Sequence, residues 1–235
     1  MPRPEMHLEG ARHCGGCQRT LSAKSFHRGQ GRCKDCRRAY MQRRCELHRA
    51  QTRAARDRRR AAARAYITDI LHNGQCCDCG LRDPGVLEFD HVAGKGMDIA
   101  RMVRDAYRLE RLVAEVARCD LVCPNCHRRR TARRVRSWRV DPAWRAAKST
   151  RPLRRRNLLF LLDWLNTTPC VDCGESDPAV LDFDHVGEKR AGVVQIAHGE
   201  HSIASLEREI AECEVRCATC HRRRTAQQQT TSAII

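Results

Sequence analysis

The chain has 235 residues, with 45 Lys and Arg against 28 Asp and Glu for a net charge of +17, yet only 41% of it is apolar, 4% is aromatic and 16 residues are cysteine. The charge points to a polyanionic partner, and the low apolar content excludes one large hydrophobic core. The longest apolar run, around residues 158–162, falls far short of the roughly twenty residues that span a bilayer, so no membrane is expected; the opening MPRPEMHLEG has no signal-peptide core, which puts the cysteines in a reducing cytoplasm.

Twelve cysteines form six Cys-x-x-Cys pairs. Two intervening residues let one tight turn present both sulfurs to a single Zn²⁺ at about 2.3 Å, so six half-sites predict three zinc sites. A redox reading would want one such pair opening a helix in a βαβ unit, which is missing here. Pairing by chain order gives Cys14, Cys17, Cys33 and Cys36, then Cys76, Cys79, Cys123 and Cys126, then Cys170, Cys173, Cys217 and Cys220, leaving Cys45, Cys77, Cys119 and Cys213 over. Zinc then replaces the apolar core that small modules lack.

The first four ligands define a zinc ribbon or knuckle over residues 1–36. Residues 37–66 follow as an Arg/Ala-rich stretch without Gly or Pro, which predicts a long basic helix that includes Arg53, Arg56, Arg59 and Arg60. Apolar residues at helical intervals over 58–71 lead into a first module at 67–132. Inside it, 86–92 alternates like a strand, 109–118 reads as a short helix, and CHRRRT after the second knuckle opens another helix.

A basic linker at 133–157 contains Arg133, Arg134, Arg154 and Arg155, and 154–165 again has helical apolar spacing. A second module occupies 158–226, with a strand at 180–186 and a helix at 206–212. Shifting the chain by 94 places aligns 76–131 with 170–225 without a gap, with 24 of 56 positions identical. The identities include Asp90/Asp184, His91/His185, His127/His221 and the arginines Arg128, Arg129 and Arg130 with Arg222, Arg223 and Arg224. Positions 96–111 and 190–205 share nothing. The tail, 227–235, reads as disordered.

Charge is segregated: +4 over 1–36, +8 over 37–75, +1 over 76–131, +8 over 132–169 and −4 over 170–235. The connectors are therefore the grip, and phosphate binding through them would be strong, sequence-tolerant and salt-dependent. With few aromatics to stack on single strands, duplex or branched DNA is expected, and RNA stays open. Arg128–Arg130 and Arg222–Arg224 could contact the scissile phosphate.

The repeated polar residues ask for chemistry. Zinc would hold His127 near Asp90 and His91, presenting one carboxylate and one imidazole to a hard ion such as Mg²⁺ and freeing the other imidazole to deprotonate water. An Asp-His that merely caps a hairpin, or a spare zinc-ligand histidine, is the plainer alternative.

Each copy resembles an HNH endonuclease module of the ββα-metal (His-Me finger) type, in its four-cysteine group: CxxCG, FDHV, a following lysine, a Cys ahead of CxxCH, and a basic residue and Thr closing the helix. The segment HCGGCQRTLSAKSFHRGQGRCKDCRRAYMQRR resembles the small zinc motif ahead of phage HNH and endonuclease VII-like nucleases. The resemblance implies an α+β chain of zinc-stabilised modules, two of them ββα-metal, joined by basic helices. It implies that His91 and His185 are general bases, that Asp90 with His127 and Asp184 with His221 bind Mg²⁺ or Mn²⁺, and that the twelve cysteines are structural. Two sites in one chain would form a pseudo-dimer addressing both strands. The family's central Asn, about five residues before the third zinc cysteine, is missing: Arg118-Cys119 and Glu212-Cys213 stand there. A non-catalytic DNA- or RNA-binding protein on a degenerate HNH scaffold is the competing class.

Overall fold

The structure, a computed structural model, describes residues 10–92, 94, 96–147 and 150–232. The chain divides into two units, residues 1–62 and 63–235, with the boundary inside helix α1 (Lys34–Asn73). It combines helices with three two-stranded sheets. Among the described residues no helix is long and apolar enough to cross a membrane.

In the first unit β1 (Ala11–His13) pairs antiparallel with β2 (Thr20–Ser22), and a 3-10 turn at Ala23–Ser25 leads to a bridge between Phe26 and Cys33. The buried residues are Cys14, Phe26 and Cys33, with the Arg12 guanidinium 4.7 Å from the Phe26 ring centre. One ring and a few thiols are too little apolar area to fold such a motif unaided, which is the condition that metal ligation meets. α1 then runs 40 residues without Gly or Pro. The two helical stretches read separately at 37–66 and 58–71 are one helix. It stops at Gly74, where a Cβ would lie 2.3 Å from Leu121 and 2.6 Å from the Ile70 carbonyl.

The second unit contains the duplicated modules. The first takes the end of α1, then β3 (Glu88–His91), α2 (Ile99–Arg104), α3 (Leu109–Val116), β4 (Cys119–Val122) and α4 (Pro124–Arg134). After α5 (Pro142–Ala146), the second takes α6 (Pro152–Thr167), β5 (Leu181–His185), α7 (Val193–His198), α8 (Ile203–Ile210), β6 (Cys213–Cys217) and α9 (Ala218–Ser232). The registers match: His91 faces Cys119 as His185 faces Cys213. β4 and β6 are absent from the sequence reading, being too short to alternate visibly. The expected strands begin late because the amides of Val86, Leu87 and Val180 turn back to the carbonyls of Asp83 and Asp177.

Each module has an apolar half and a thiol half. In the first, Ala63, Tyr66, Ile67 and Ile70 of α1 pack on Ile99, Met102, Leu112 and Val116. In the second, Leu158 and Leu161 of α6 take that place against Val193, Leu206 and Ile210. Each fully buried leucine contributes on the order of 2 kcal/mol.

Two stretches take part in the fold. In the basic linker at 133–157, Trp138 and Trp144 stand 6.5 Å apart against the Leu158 cluster, and Arg139 donates to the carbonyls of Pro178 and Leu181. The tail is helical as far as Ser232, since α9 starts at the anchored zinc knuckle and meets no Gly or Pro before its end. Residues 233–235 lie outside the described residues.

The modules face each other with reciprocal contacts. Arg128 binds Asp182 (2.5 Å) while Arg222 binds Glu88 (2.6 Å), and Arg129 binds Asp177 (2.7 Å) while Arg223 binds Asp83 (2.8 Å). Every member of one pair is the 94-residue counterpart of a member of the other. Asn125 Oδ1 accepts from the amide of its own counterpart, Thr219, at 3.0 Å. Counterparts that touch lie on the two-fold axis of an isologous interface.

Candidate metal centres and the cleft beside them

All three predicted cysteine sets come together. In each, the four sulfurs lie within 4.8 Å of one another. Cys79 and Cys123 sulfurs are 3.8 Å apart, and Cys173 and Cys217 sulfurs 3.7 Å. The edge of a tetrahedron with ~2.3 Å zinc–sulfur bonds is about 3.8 Å. The donor set therefore fits zinc, and each group could hold one ion.

The knuckles are built by backbone. Gly80 and Gly174 follow matching Cys-x-x-Cys pairs at φ +73° and +74°, where any side chain is strained. Amides point at sulfur: Cys33 donates to Cys14 Sγ at 3.1 Å and Cys126 to Cys123 Sγ at 3.4 Å, so a zinc ligand also caps α4. The Cys33 and Cys17 amides pull the Cys14 thiol down to about 5, while its neighbour Cys33 and burial push Cys36 up to about 12. The four sulfurs could all ionise only with a cation among them.

The Asp-His residues of the sequence reading also converge. Asp90 Oδ1 is 3.4 Å from His127 Nε2, and Asp184 Oδ1 is 3.4 Å from His221 Nε2. Each pair sets a carboxylate oxygen against an imidazole nitrogen at ion-pair distance. In the first module these groups and His91 line a cleft of about 950 Å³ that also takes in Glu88, Arg134 and Arg222.

The groups facing His91 and His185 were missed from sequence. His91 Nε2 is 2.8 Å from Glu115 Oε1, which also accepts from the amides of Gly96 (3.0 Å) and Met97 (2.9 Å). His185 Nε2 is 2.7 Å from Glu209 Oε1, which accepts from the amides of Arg190 and Ala191, both at 3.2 Å. The Met97 amide foremost keeps the Glu115 carboxyl below its ordinary range. An ionised acceptor fixes the proton on Nε2 and leaves Nδ1 as the basic nitrogen. The signal was present: Glu115 and Glu209 are identical under the 94-residue shift, a few residues ahead of the matched Cys119 and Cys213.

The basic residues divide by position. Arg130 and Arg224 hold Oδ2 of Asp90 (3.3 Å) and Asp184 (2.6 Å), while Oδ1 of Asp90 faces His127 and is also bound by Arg134. Arg128, Arg129, Arg222 and Arg223 cross between modules as described, so the CHRRRT arginines are engaged with protein carboxylates. Arg134 binds Asp90 at 3.0 Å, and Arg155 donates to the carbonyls of Trp144 and Ala147. Arg53, Arg56, Arg59 and Arg133 are exposed, and Arg60 and Arg154 are half-buried.

Burial alone would raise Glu88, Asp90 and Asp182, but His127, Arg134 and His221 with their neighbouring arginines hold all three below the ordinary carboxylate range. Depressed carboxyl pKa values add stability above the unfolded values near 4 and lose it as pH falls through the folded ones. Urea unfolding of the second unit is therefore expected to weaken below about pH 4, and, because Glu88 and Asp182 raise His127 and His221, also to weaken as pH rises above about 6.5 through the raised imidazole values. Undiminished stability at pH 3 would show that these pairs contribute nothing.

Comparison of the chain with protein-family models, with curated proteins and with solved structures gives no match.

Proposed function

We propose that the chain is a zinc-stabilised, divalent-ion-dependent DNA endonuclease of the HNH type, with one active centre in each duplicated module. The observation that carries this reading is a constellation formed twice: a histidine held by a buried glutamate, beside an aspartate and a second histidine 3.4 Å apart at the end of a zinc knuckle. The strand, strand, helix order of β3, β4 and α4, repeated in β5, β6 and α9, supports it.

In this reading His91 and His185 take a proton from water at Nδ1, while Glu115 and Glu209 hold the ring and stabilise the cation that forms. Asp90 with His127, and Asp184 with His221, hold Mg²⁺ or Mn²⁺. When bound, that ion supplies charge stabilisation to a phosphate oxygen. Arg130 and Arg224 keep each aspartate turned toward its histidine. The exposed arginines of α1 and Arg133 provide sequence-tolerant phosphate contacts to duplex or branched DNA. Twelve thiolate ligands suit a reducing, cytoplasmic setting.

One centre cuts one strand, so two centres cut two. On supercoiled plasmid with Mg²⁺ or Mn²⁺, His91→Ala and His185→Ala are each expected to yield nicked but not linear product. Unchanged linearisation by His185→Ala would remove the second module from the mechanism. Tight DNA binding with no divalent-dependent cleavage would leave the protein as a binding scaffold.

A further inference from the structure

We infer that each divalent-ion centre is completed by the opposite module, through an arginine that holds the carboxylate behind its histidine ligand. This rests on the proposed Asp/His centres. In the first module His127 Nδ1 is 2.7 Å from Glu88 Oε1, and the other oxygen of Glu88 is bound at 2.6 Å by Arg222, which comes from α9 of the second module. Arg222 also donates to the Val86 carbonyl, at 3.3 Å, and lines the first module's cleft. In the second module His221 Nδ1 is 3.5 Å from Asp182 Oδ2, and that carboxylate is bound at 2.5 Å by Arg128 from α4 of the first.

Each chain of contacts ends at Nδ1 of an imidazole whose other nitrogen, Nε2, faces Asp90 or Asp184. A ligating histidine is oriented by what its other nitrogen meets, and such outer partners set affinity for the ion. Partly exposed ion pairs contribute little to stability on their own. Reciprocal placement on these two carboxylates therefore points to positioning. Arg222 and Arg128 are positioning residues, and a single module presents an incomplete centre. The arrangement gives a physical reason for keeping two copies in one chain: Arg128 and Arg222 follow their own ligating histidines directly, so the residue that builds one centre is tied to the ligand of the other.

The test uses the full-length chain loaded with three zinc ions and carrying His221→Ala, so that only the first centre remains. Mn²⁺ affinity is read from the EPR signal of the free ion. Arg222→Ala is expected to weaken binding roughly tenfold or more. Added to Glu88→Gln it should cause little further loss, because both changes break one contact path. Arg222→Met, which keeps the apolar stem, serves if the alanine variant loses zinc, and the same weakening is expected. Equal Mn²⁺ affinity in the parent and Arg222 variants, or fully additive losses with Glu88→Gln, would overturn this inference while leaving the centre itself in place. No Mn²⁺ binding by the unmutated, zinc-loaded chain would overturn the proposed function and this inference with it.

Discussion

Replacing Cys126 with alanine is expected to reduce bound zinc from three ions to two and to unfold the first module. The residue is buried with Cys76, Leu87, Val122 and Cys123, a cluster with few other apolar side chains. Its knuckle starts α4, the helix that presents His127 and Arg130. Structural zinc supplies about 10–16 kcal/mol in small peptide modules. That matches or exceeds the whole stability of an ordinary domain. Loss of one ligand should therefore abolish the cooperative melting of this module. The second module should keep its own zinc but melt at lower temperature, since the cross-module ion pairs go with the first. Cys119→Ala is the control, because that thiol lies outside the four-cysteine groups and donates to the Glu115 carbonyl at 3.4 Å. A Cys126→Ala chain that retains three zinc ions and melts like its parent would contradict this account of the fold.

Changing Glu115 to glutamine is expected to lower divalent-dependent nicking by the first centre roughly a hundredfold or more, the scale on which a positioned acid–base group acts. The amide keeps the volume, and its oxygen can still receive the Gly96 and Met97 amides. It then offers His91 a neutral partner and cannot stabilise the imidazolium formed when water gives up its proton. Zinc content should stay at three, and Mn²⁺ affinity should change little, since Glu115 faces His91 rather than the Asp90–His127 pair. Placed in a His185→Ala chain, the variant isolates the first centre. Full nicking by Glu115→Gln in that background would reduce the glutamate to a loop anchor.

The zinc sets were legible from sequence because cysteine spacing is set by ligand geometry, and the 94-residue shift exposed the Asp-His pairs for the same reason: their positions are anchored to knuckles. What escaped needed knowledge of what lies opposite. Arg128 and Arg222 read as phosphate contacts in a CHRRRT run, yet Asp182 and Glu88 stand within 2.6 Å of them in the neighbouring module. Nothing local to an arginine says whether an acid or a phosphate will face it. Glu115 and Glu209 sit on α3 and α8, 24 residues from the strand histidines they face, so local spacing does not join them. β4 and β6 were missed because strands of four or five residues show no period.

The central claim is that these modules cleave DNA with a divalent ion held beside a glutamate-braced histidine. The most direct measurement is cleavage of supercoiled plasmid by the zinc-loaded chain, with and without added Mg²⁺, beside a His91→Ala/His185→Ala double variant that retains three zinc ions. The account predicts nicked and then linear DNA only with Mg²⁺ and only from the unmutated chain. Cleavage that persists in the double variant, or no cleavage by the unmutated chain that still binds the plasmid, would contradict it.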